Sequence, residues 1–184
     1  MPVEVVVVRP GYLERTASGG VRRADSAVVL LITDEMNLLV DVGCEKPRQL
    51  VRRLEPYGVD AVVFTHGHHD HVGNAEEIRE AFDPDFYAHP EEAGSVPVDV
   101  DDVDELDPPE GVEVVETPGH TPGHVSVAVG DHLIVAGDAC PTPDNAVERT
   151  PPAIAWDRER AEKSLEVVLS YPTVIPGHGV HVRP

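Results

Sequence analysis

The sequence predicts a mixed α/β fold, because short strand-like runs alternate along the chain with segments of helical periodicity. β-branched and other apolar residues dominate the predicted strands, and apolar residues spaced for one helix face mark the predicted helices. The chain has 184 residues, which is enough for one hydrophobic core, and we expect residues 1–184 to form a single domain.

The first half of the chain contains five predicted strands, at 3–8, 27–32, 38–42, 61–64 and 86–88. A polar turn joins the second and third of these strands, which predicts an antiparallel hairpin. A helix is predicted over residues 45–57, because Leu50 and Leu54 share one face and Gly58 is a natural stop. Asn74, followed three residues later by a glutamate, predicts the N-cap of a second helix.

The clearest signal in the second half is a hairpin around Gly130–Asp131, where alternating strand residues flank a glycine-led turn. Pairing across this turn places His124 near Gly137, and Asp138 beside the loop that carries His120. His120 and Asp138 are therefore expected at the same open end of the hairpin. The remaining predicted elements are strands at 112–116 and 173–175 and a helix after the N-cap Asp157.

Four histidines and an aspartate fall within residues 66–71, directly after a predicted strand. Neutral imidazole and carboxylate are good ligands for zinc and its neighbours, and no packed core needs so many imidazoles side by side. His66 and His68 are two residues apart, so in extended backbone both side chains point the same way and can share one ion. Asp70 and His71 follow as the chain turns, and can face a second ion. The alternative is a solvated histidine-rich loop.

The pattern His66-x-His68-x-Asp70-His71 after a short apolar strand resembles the signature of the metallo-β-lactamase superfamily. Three later motifs resemble further parts of that signature, in the expected order: Gly119-His120-Thr121, Ala136-Gly137-Asp138 and Pro176-Gly177-His178-Gly179. The resemblance implies a four-layer αββα sandwich, with the metal site along one edge of two facing sheets.

The resemblance also implies a ligand set for two metal ions. The expected ligands are His66, His68 and His120 for one ion, Asp70, His71 and His178 for the other, and Asp138 between the two. Asp41, at a strand end, is expected to support the metal-binding loop, because a ligating histidine usually donates its other N–H to a carboxylate or carbonyl. A simple turn aspartate is the alternative. His124 is expected either to line the pocket or support a ligand, or to be purely structural.

The ligand chemistry favours two Zn²⁺ ions, with iron or manganese as alternatives. Two ions about 3.5–4 Å apart would hold a bridging water as hydroxide at neutral pH, and this hydroxide would attack a carbonyl or phosphoryl centre. Asp70 or Asp138 is expected to relay the proton. The Thr117–His124 loop resembles that of glyoxalase II-like members of the family, so the expected function is hydrolysis of a small ester, preferably a thioester.

Alternatives within the same superfamily are a lactonase, a β-lactamase and a sulfur dioxygenase with one iron. A nuclease is disfavoured, because no basic arm or added domain is visible in an acidic chain. Only residues 179–184 follow His178, so we expect the glutathione-binding helical domain of glyoxalase II to be absent. Outside enzymes, the alternative is a metal-stabilised binding protein, although a structural site needs only four closed ligands and the motifs supply seven.

The formal net charge is −20, with 34 acidic against 14 basic side chains. Such a surface repels nucleic acid, so the expected partner is a small-molecule substrate and not a nucleic acid. The acidic composition suggests a halophilic source, with an acidic mesophilic protein as the alternative. Two cysteines without a CxxC motif, no secretory leader and no apolar run of about 18–20 residues predict a cytoplasmic protein without a membrane span.

Overall fold

The computed structural model describes residues 2–184, in which strands and helices alternate along the chain. The strands are β1 (Glu4–Arg9), β2 (Tyr12–Arg15), β3 (Val21–Asp25), β4 (Val28–Ile32), β5 (Asn37–Val40), β6 (Ala61–Val63), β7 (Asp85–Ala88), β8 (Asp101–Asp102), β9 (Val112–Glu116), β10 (Val125–Val129), β11 (Leu133–Gly137) and β12 (Thr173–Pro176). The helices are α1 (Pro47–Leu54), α2 (His69–Val72), α3 (Ala75–Phe82), α4 (Pro90–Ala93), α5 (Pro143–Glu148) and α6 (Arg158–Val168). None of the helices described over residues 2–184 is long and apolar enough to cross a bilayer.

Two sheets form the centre of the fold. The larger sheet has six strands in the order β1-β4-β5-β6-β7-β8, and the smaller has four in the order β12-β11-β10-β9. β1, β4 and β5 pair antiparallel, whereas β5, β6, β7 and β8 pair in parallel. Parallel neighbours need a crossover connection, and α1 and α3 lie in the crossovers that join β5, β6 and β7.

The two sheets face each other across a shared apolar core. Val29 and Leu31 of β4 belong to this core, together with Val127 of β10 and Val135 of β11. Leu30, between them, points the other way and packs in a second apolar cluster with residues of α1 and α3. Because successive strand residues face opposite sides, both faces of β4 are buried, which explains its uninterrupted apolar sequence.

Helices cover the outer faces of both sheets. Leu50 and Leu54 of α1 pack with Ile78 of α3 against the six-stranded sheet. Leu165 and Val168 of α6 pack with residues of α5 against the four-stranded sheet. The layers therefore run helix, sheet, sheet, helix, and the expected αββα sandwich is confirmed.

A small hairpin of β2 and β3 lies outside the two main sheets and was not predicted. Its strands read YLER and VRRAD, which are too polar to show an apolar alternation. Helix α5 was also missed, because it lies in a proline-rich segment that reads as a loop. Pro143 occupies the first turn of α5, where proline costs no hydrogen bond and its fixed φ suits the helix.

The hairpin of β10 and β11 has the predicted strands, with a different turn. Val127 pairs with Val135 and Val129 with Leu133, so the turn contains three residues, Gly130–His132, and not two. Gly130 has φ 53°, a backbone conformation that glycine adopts without a Cβ clash.

Asn74 precedes α3 as predicted, but its side chain makes a different contact from the expected cap. Its Nδ2 donates to the carbonyl oxygens of Val42 at 3.0 Å and Glu45 at 3.1 Å. The amide therefore ties the start of α3 to the loop after β5 and leaves the first turn of the helix without a side-chain cap.

Candidate metal centre

Five strands end at one edge of the sandwich, and the segments after them carry the reactive side chains. These segments contain Asp41 after β5, His66 to His71 after β6, His120 and His124 after β9, Asp138 after β11 and His178 after β12. At this edge the N–H of Val125 donates to the carbonyl oxygen of Thr65 at 2.8 Å, which joins the two sheets. The fold thus brings side chains that are distant in sequence to one place.

His66, His68 and His120 form a first cluster, with Asp138 beside them. The Nε2 atoms of His66 and His120 lie 2.9 and 3.0 Å from Nδ1 of His68. Nε2 of His120 also lies 3.4 Å from Oδ2 of Asp138. Ligand atoms bound tetrahedrally to zinc at about 2.0–2.1 Å are about 3.3 Å apart. The four donor atoms therefore surround a space that suits one transition-metal ion.

Asp70, His71 and His178 form a second cluster. Nε2 of His178 lies 3.4 Å from Oδ2 of Asp70 and 3.3 Å from Oδ1 of Asp138. Nε2 of His71 lies 3.8 and 3.5 Å from the same two oxygens. Asp138 therefore directs Oδ2 to the first cluster and Oδ1 to the second, so this one carboxylate would offer a ligand atom to each.

Four of the clustered histidines have an oxygen partner on Nδ1, the ring nitrogen that faces away from the cluster. The acceptors, at 2.7–3.1 Å, are Asp41 for His71, the Ile154 carbonyl for His120, the Asp25 carbonyl for His178 and the Thr65 hydroxyl for His66. With the proton on Nδ1, each Nε2 presents a lone pair to its cluster, as a metal ligand must.

Asp41 lies directly behind the loop after β6, as the family resemblance implies. Its Oδ1 accepts the N–H of Thr65 and its Oδ2 accepts the Thr65 hydroxyl, each at 2.8 Å. Burial alone lowers the pKa of His71, but Asp41 and then Asp138 outweigh burial and hold that pKa well above its usual value. An environment that attracts a proton this strongly also attracts a cation.

His124 is buried beside both clusters and belongs to neither. Its Nε2 accepts the N–H of Asp138 at 3.0 Å, so its proton lies on Nδ1, which donates to the Thr117 hydroxyl at 2.9 Å. The Thr117 hydroxyl contacts that of Ser126, which donates to the carbonyl of Ala136. Burial, reinforced by neighbouring histidines, lowers the pKa of His124 to about 3, so the ring is neutral. His124 therefore holds Asp138 in place and has no nitrogen left for a metal.

Two buried atoms of these clusters, Nε2 of His71 and Oδ1 of Asp138, have no hydrogen-bond partner. An unsatisfied buried polar group costs about 1–3 kcal/mol, and these two atoms face each other across 3.5 Å. A cation between them would satisfy both. The donors are imidazoles and carboxylates, a set that suits zinc, iron or manganese better than calcium or magnesium, which prefer oxygen alone. The residues present therefore fit transition-metal ions.

A cleft opens onto both clusters and contains about 550 Å³ of non-protein space, part of it open to solvent. Cluster residues form its floor. Its walls are mainly apolar, with Leu13 and Val21 from the β2–β3 hairpin and Pro152 and Ile154 from the segment after α5. Arg15, also on the hairpin, is the one lysine or arginine among the described residues that line the cleft.

The structure brings together the seven residues predicted as ligands, but sequence reasoning missed groups that hold them. The Asp25 carbonyl, for example, anchors His178. The Asp25 carboxylate in turn binds Arg9 at 3.1 Å and the N–H of Cys44 at 2.8 Å. No local motif signals these contacts, because each joins segments that are far apart in sequence.

Comparison with known proteins agrees with this geometry. The family model described as the metallo-beta-lactamase superfamily matches residues 21–99. The probable metallo-hydrolase MJ0296 of Methanocaldococcus jannaschii is 36% identical over 126 residues, which cover 68% of this chain and 59% of that relative. Metallo-beta-lactamase domain-containing protein 1 of Xenopus laevis is 35% identical over an alignment of 202 positions, which spans 99% of this chain and 82% of the relative. A hydroxyacylglutathione hydrolase of Alkalilimnicola ehrlichii is 32% identical over 124 residues, 63% of this chain and 47% of the relative.

Among solved structures, that of TTHA1623 in a di-iron-bound form superposes with a TM-score of 0.70 and 28% sequence identity. The match covers 86% of this chain and 89% of that one. The chain spans less than two thirds of the archaeal and glutathione-hydrolase relatives, at 59% and 47% of their lengths, but 82% of the Xenopus relative. From the sequence match, the αββα layers and the paired His/Asp clusters, we conclude that the chain belongs to the metallo-β-lactamase superfamily.

Proposed function

We propose that the protein is a metal-dependent hydrolase of a small thioester. The observation that carries this proposal is the cleft floor, where two His/Asp clusters share Asp138 and open to solvent on one side. Relatives named metallo-hydrolase and hydroxyacylglutathione hydrolase support it. Zinc is the proposed metal on the grounds of ligand softness, and the two irons of TTHA1623 support iron as the alternative.

When bound, the ions act as Lewis acids that bring the pKa of a water to about 7 and polarise the substrate carbonyl. The proposed ligands are His66, His68 and His120 for one ion, Asp70, His71 and His178 for the other, and Asp138 for both. Asp70 has the more exposed carboxylate, with 24% of its side chain accessible against 10% for Asp138. Asp70 is thus the better placed to accept a proton from the attacking water and pass it to solvent.

The titratable side chains of the cleft indicate which kind of leaving group the site favours. Among the described residues that line it, each titratable side chain except Arg15 belongs to one of the two clusters. A guanidinium stays protonated, so Arg15 does not act as a general acid. A departing amine or alkoxide needs a proton, whereas a thiolate, whose thiol has a pKa of about 8.5, leaves without one. Among the described residues of the cleft no acid lies outside the two clusters, and Asp70 is proposed to pass its proton to solvent, so a leaving group that needs no proton, such as a thiolate, is favoured.

Arg15 supports a substrate with a negative charge. Its guanidinium is exposed and donates one hydrogen bond, to the Gly19 carbonyl at 3.0 Å, which leaves other N–H groups directed to solvent. The net charge of −20 makes the electrostatic potential around the molecule negative, so Arg15 provides a local positive charge at the cleft wall. We therefore propose an apolar acyl group against Leu13 and Ile154, and an anionic group at Arg15.

A substrate panel tests the reaction class. Metal-loaded protein is assayed on a thioester, an oxygen ester, a lactone and a β-lactam with matched acyl groups, and the acid that each reaction releases is titrated at constant pH. We expect kcat/KM for the thioester to exceed that for the matched oxygen ester by about 100-fold or more. His120→Ala serves as the inactive control. Faster hydrolysis of the lactone or β-lactam would contradict the proposal, and oxygen uptake with a persulfide but no hydrolysis would favour the dioxygenase.

A substitution on the hairpin tests the charge preference. Arg15→Gln should raise KM about 10-fold for a thioester that bears a carboxylate, because one charge-assisted hydrogen bond at an exposed site is lost. KM for a neutral thioester of the same length should not change. Arg22→Gln, on β3 and outside the cleft lining, removes the same charge and is the matched control. Equal effects of the two variants would show that Arg15 acts only through net charge.

A further inference from the structure

Glu92 is a buried carboxylate that belongs to neither metal cluster. It lies on α4 and is only 4% exposed. Its Oε2 accepts the N–H of Gly67 and its Oε1 accepts the N–H of Gly123, each at 2.9 Å. Burial of a carboxylate is costly unless hydrogen bonds replace its lost water, so these two charge-assisted bonds keep the side chain in place.

The two amides belong to the two loops that carry the first cluster. Gly67 lies between His66 and His68, and Gly123 lies three residues after His120. One carboxylate group therefore connects the two loops, in addition to the Val125–Thr65 hydrogen bond between the sheets. The contact of 3.0 Å between the ring nitrogens of His120 and His68 depends on the distance between these loops.

Close packing around α4 leaves both loops little freedom. A Cβ added to Gly67 would lie 2.6 Å from Cβ of Ser95 and 3.1 Å from the Glu92 carbonyl oxygen. A Cβ added to Gly123 would lie 2.5 Å from Nδ1 of His89 and 3.0 Å from Cγ of Glu92. Both loops therefore approach α4 and its flanking residues more closely than a side chain would allow.

His66 and His120 have oxygen partners as well, but neither amide that Glu92 accepts is adjacent in sequence to His71 or His178. Asp41 lies behind His71, and the carbonyl of Asp25 lies behind His178. We propose that Glu92 is a positioning residue for the first metal site, formed by the three histidines, and that it has far less influence on the second. The inference rests on the ligand assignment proposed above and does not depend on the substrate.

Metal affinity in variants with one intact cluster tests the inference. His178→Ala leaves the first cluster complete and His120→Ala leaves the second, so a Zn²⁺ titration against a chelating dye measures each site alone. Glu92→Gln keeps the side-chain volume but replaces one acceptor oxygen by an NH₂ donor. Added to His178→Ala, it should raise the Zn²⁺ Kd about 10- to 100-fold, the usual cost of losing a ligand's support. Added to His120→Ala, it should raise Kd less than about 3-fold, because His71 and His178 are anchored by Asp41 and Asp25 and not by the amides that Glu92 accepts.

Glu91→Gln is the matched control, because Glu91 is the exposed neighbouring carboxylate on the same helix. It removes the same charge and should leave both Kd values unchanged. The visible spectrum of bound Co²⁺ is the second readout: its bands should shift when Glu92→Gln is added to His178→Ala, and not when Glu91→Gln is added. If Glu92→Gln does not fold, Glu92→Asp, which keeps the charge but shortens the reach, replaces it.

Each outcome has a distinct meaning. A loss of affinity confined to the first site supports the inference. Equal losses at both sites, or none at the first, would overturn it while leaving the ligand assignment intact. If His178→Ala without any change at Glu92 binds no metal, the ligand assignment itself is wrong, and the role of Glu92 is overturned with it.

Discussion

Contacts to both the backbone and the side chain hold Asp138 in place. His124 accepts its N–H, and Gly177 lies so close that a Cβ there would be 2.1 Å from Oδ1 of Asp138. Burial raises the pKa of the Asp138 carboxyl, but His71 and then His178 outweigh burial and hold it well below its usual value. The carboxylate therefore stays ionised and correctly oriented between the two clusters.

Gly177→Ala tests this close fit. The added methyl group must displace Asp138, and a misplacement of about 1 Å at a reacting centre can cost about 100-fold in rate. We expect kcat/KM to fall by about that factor, with loss of metal measured by elemental analysis. Gly94→Ala is the control, because a Cβ at Gly94 meets no atom within 4 Å. Full activity and full metal content in Gly177→Ala would contradict the close fit.

Cys44 offers a test of burial that is independent of catalysis. Burial, followed by the nearby Asp25 charge, raises the pKa of the Cys44 thiol to about 11. The thiol of the folded protein is therefore protonated at pH 8, and we expect iodoacetamide to modify it far more slowly than in the urea-unfolded chain. Mass spectrometry of the labelled peptide measures the difference, and equal rates in both states would show that the thiol is freely accessible.

The same pKa shift predicts a pH dependence of stability. The thiolate is favoured in the unfolded chain, where a cysteine titrates near pH 8.5, and disfavoured in the folded one. The contribution of Cys44 is therefore present below about pH 8.5 and is lost as pH rises towards 11. We expect the free energy of unfolding, measured in urea titrations, to fall less steeply with pH over this range in Cys44→Ser than in the wild type. The same dependence on pH in both proteins would contradict the assignment.

At the scale of elements, β4 contributes side chains to two of the three apolar clusters, the one beneath α1 and α3 and the one between the sheets. Leu30 packs beneath the helices, and Leu31 packs between the sheets. Both side chains are fully buried. The loops after β5 and β6 follow strands that pack in the same two clusters, so the position of these loops depends on both.

Truncation of either leucine should therefore destabilise the fold to a similar degree. Leu30→Ala and Leu31→Ala should each lower the free energy of unfolding by about 2–5 kcal/mol in urea titrations, because each opens a cavity in a different layer. Val21→Ala, at a residue 46% exposed on β3, should cost far less. A small effect of Leu31→Ala alone would indicate that the two sheets are not packed as described.

Sequence reasoning succeeded where one stretch of chain carries the signal. The seven residues of the two clusters lie in short motifs directly after apolar strands, so their place at strand ends and their grouping could be predicted. The β10–β11 pairing followed from alternation around a glycine turn, which correctly brought Asp138 to the loop of His120.

Tertiary contacts explain what could not be predicted. Glu92 has no motif: it is one of two adjacent glutamates, and only the folded chain shows which is buried against both loops. The β2–β3 hairpin contributes residues of both strands to the cleft, but much of it faces solvent and is polar. It therefore lacks the apolar period on which strand prediction depends. Helix α5 begins with a proline in its first turn, a position that proline favours, but in the sequence this proline indicated a loop.

At the scale of the whole molecule, the net charge of −20 predicts a dependence on salt. Self-repulsion of the acidic surface weakens as the Debye length falls from about 10 Å at 0.1 M to about 3 Å at 1 M. We expect Tm to rise between these NaCl concentrations in calorimetry. Glucose at matched osmolality, which does not screen charge, is the control. A constant or falling Tm in salt would contradict the halophilic interpretation of the composition.

Metal content is the most direct test of the two-cluster account. Elemental analysis of the purified protein, reconstituted and then freed of unbound metal, should give two equivalents per chain for the wild type. His120→Ala and His178→Ala should each retain one equivalent, because each variant damages a different cluster. Less than one equivalent in the wild type, or a content that neither substitution changes, would contradict the account.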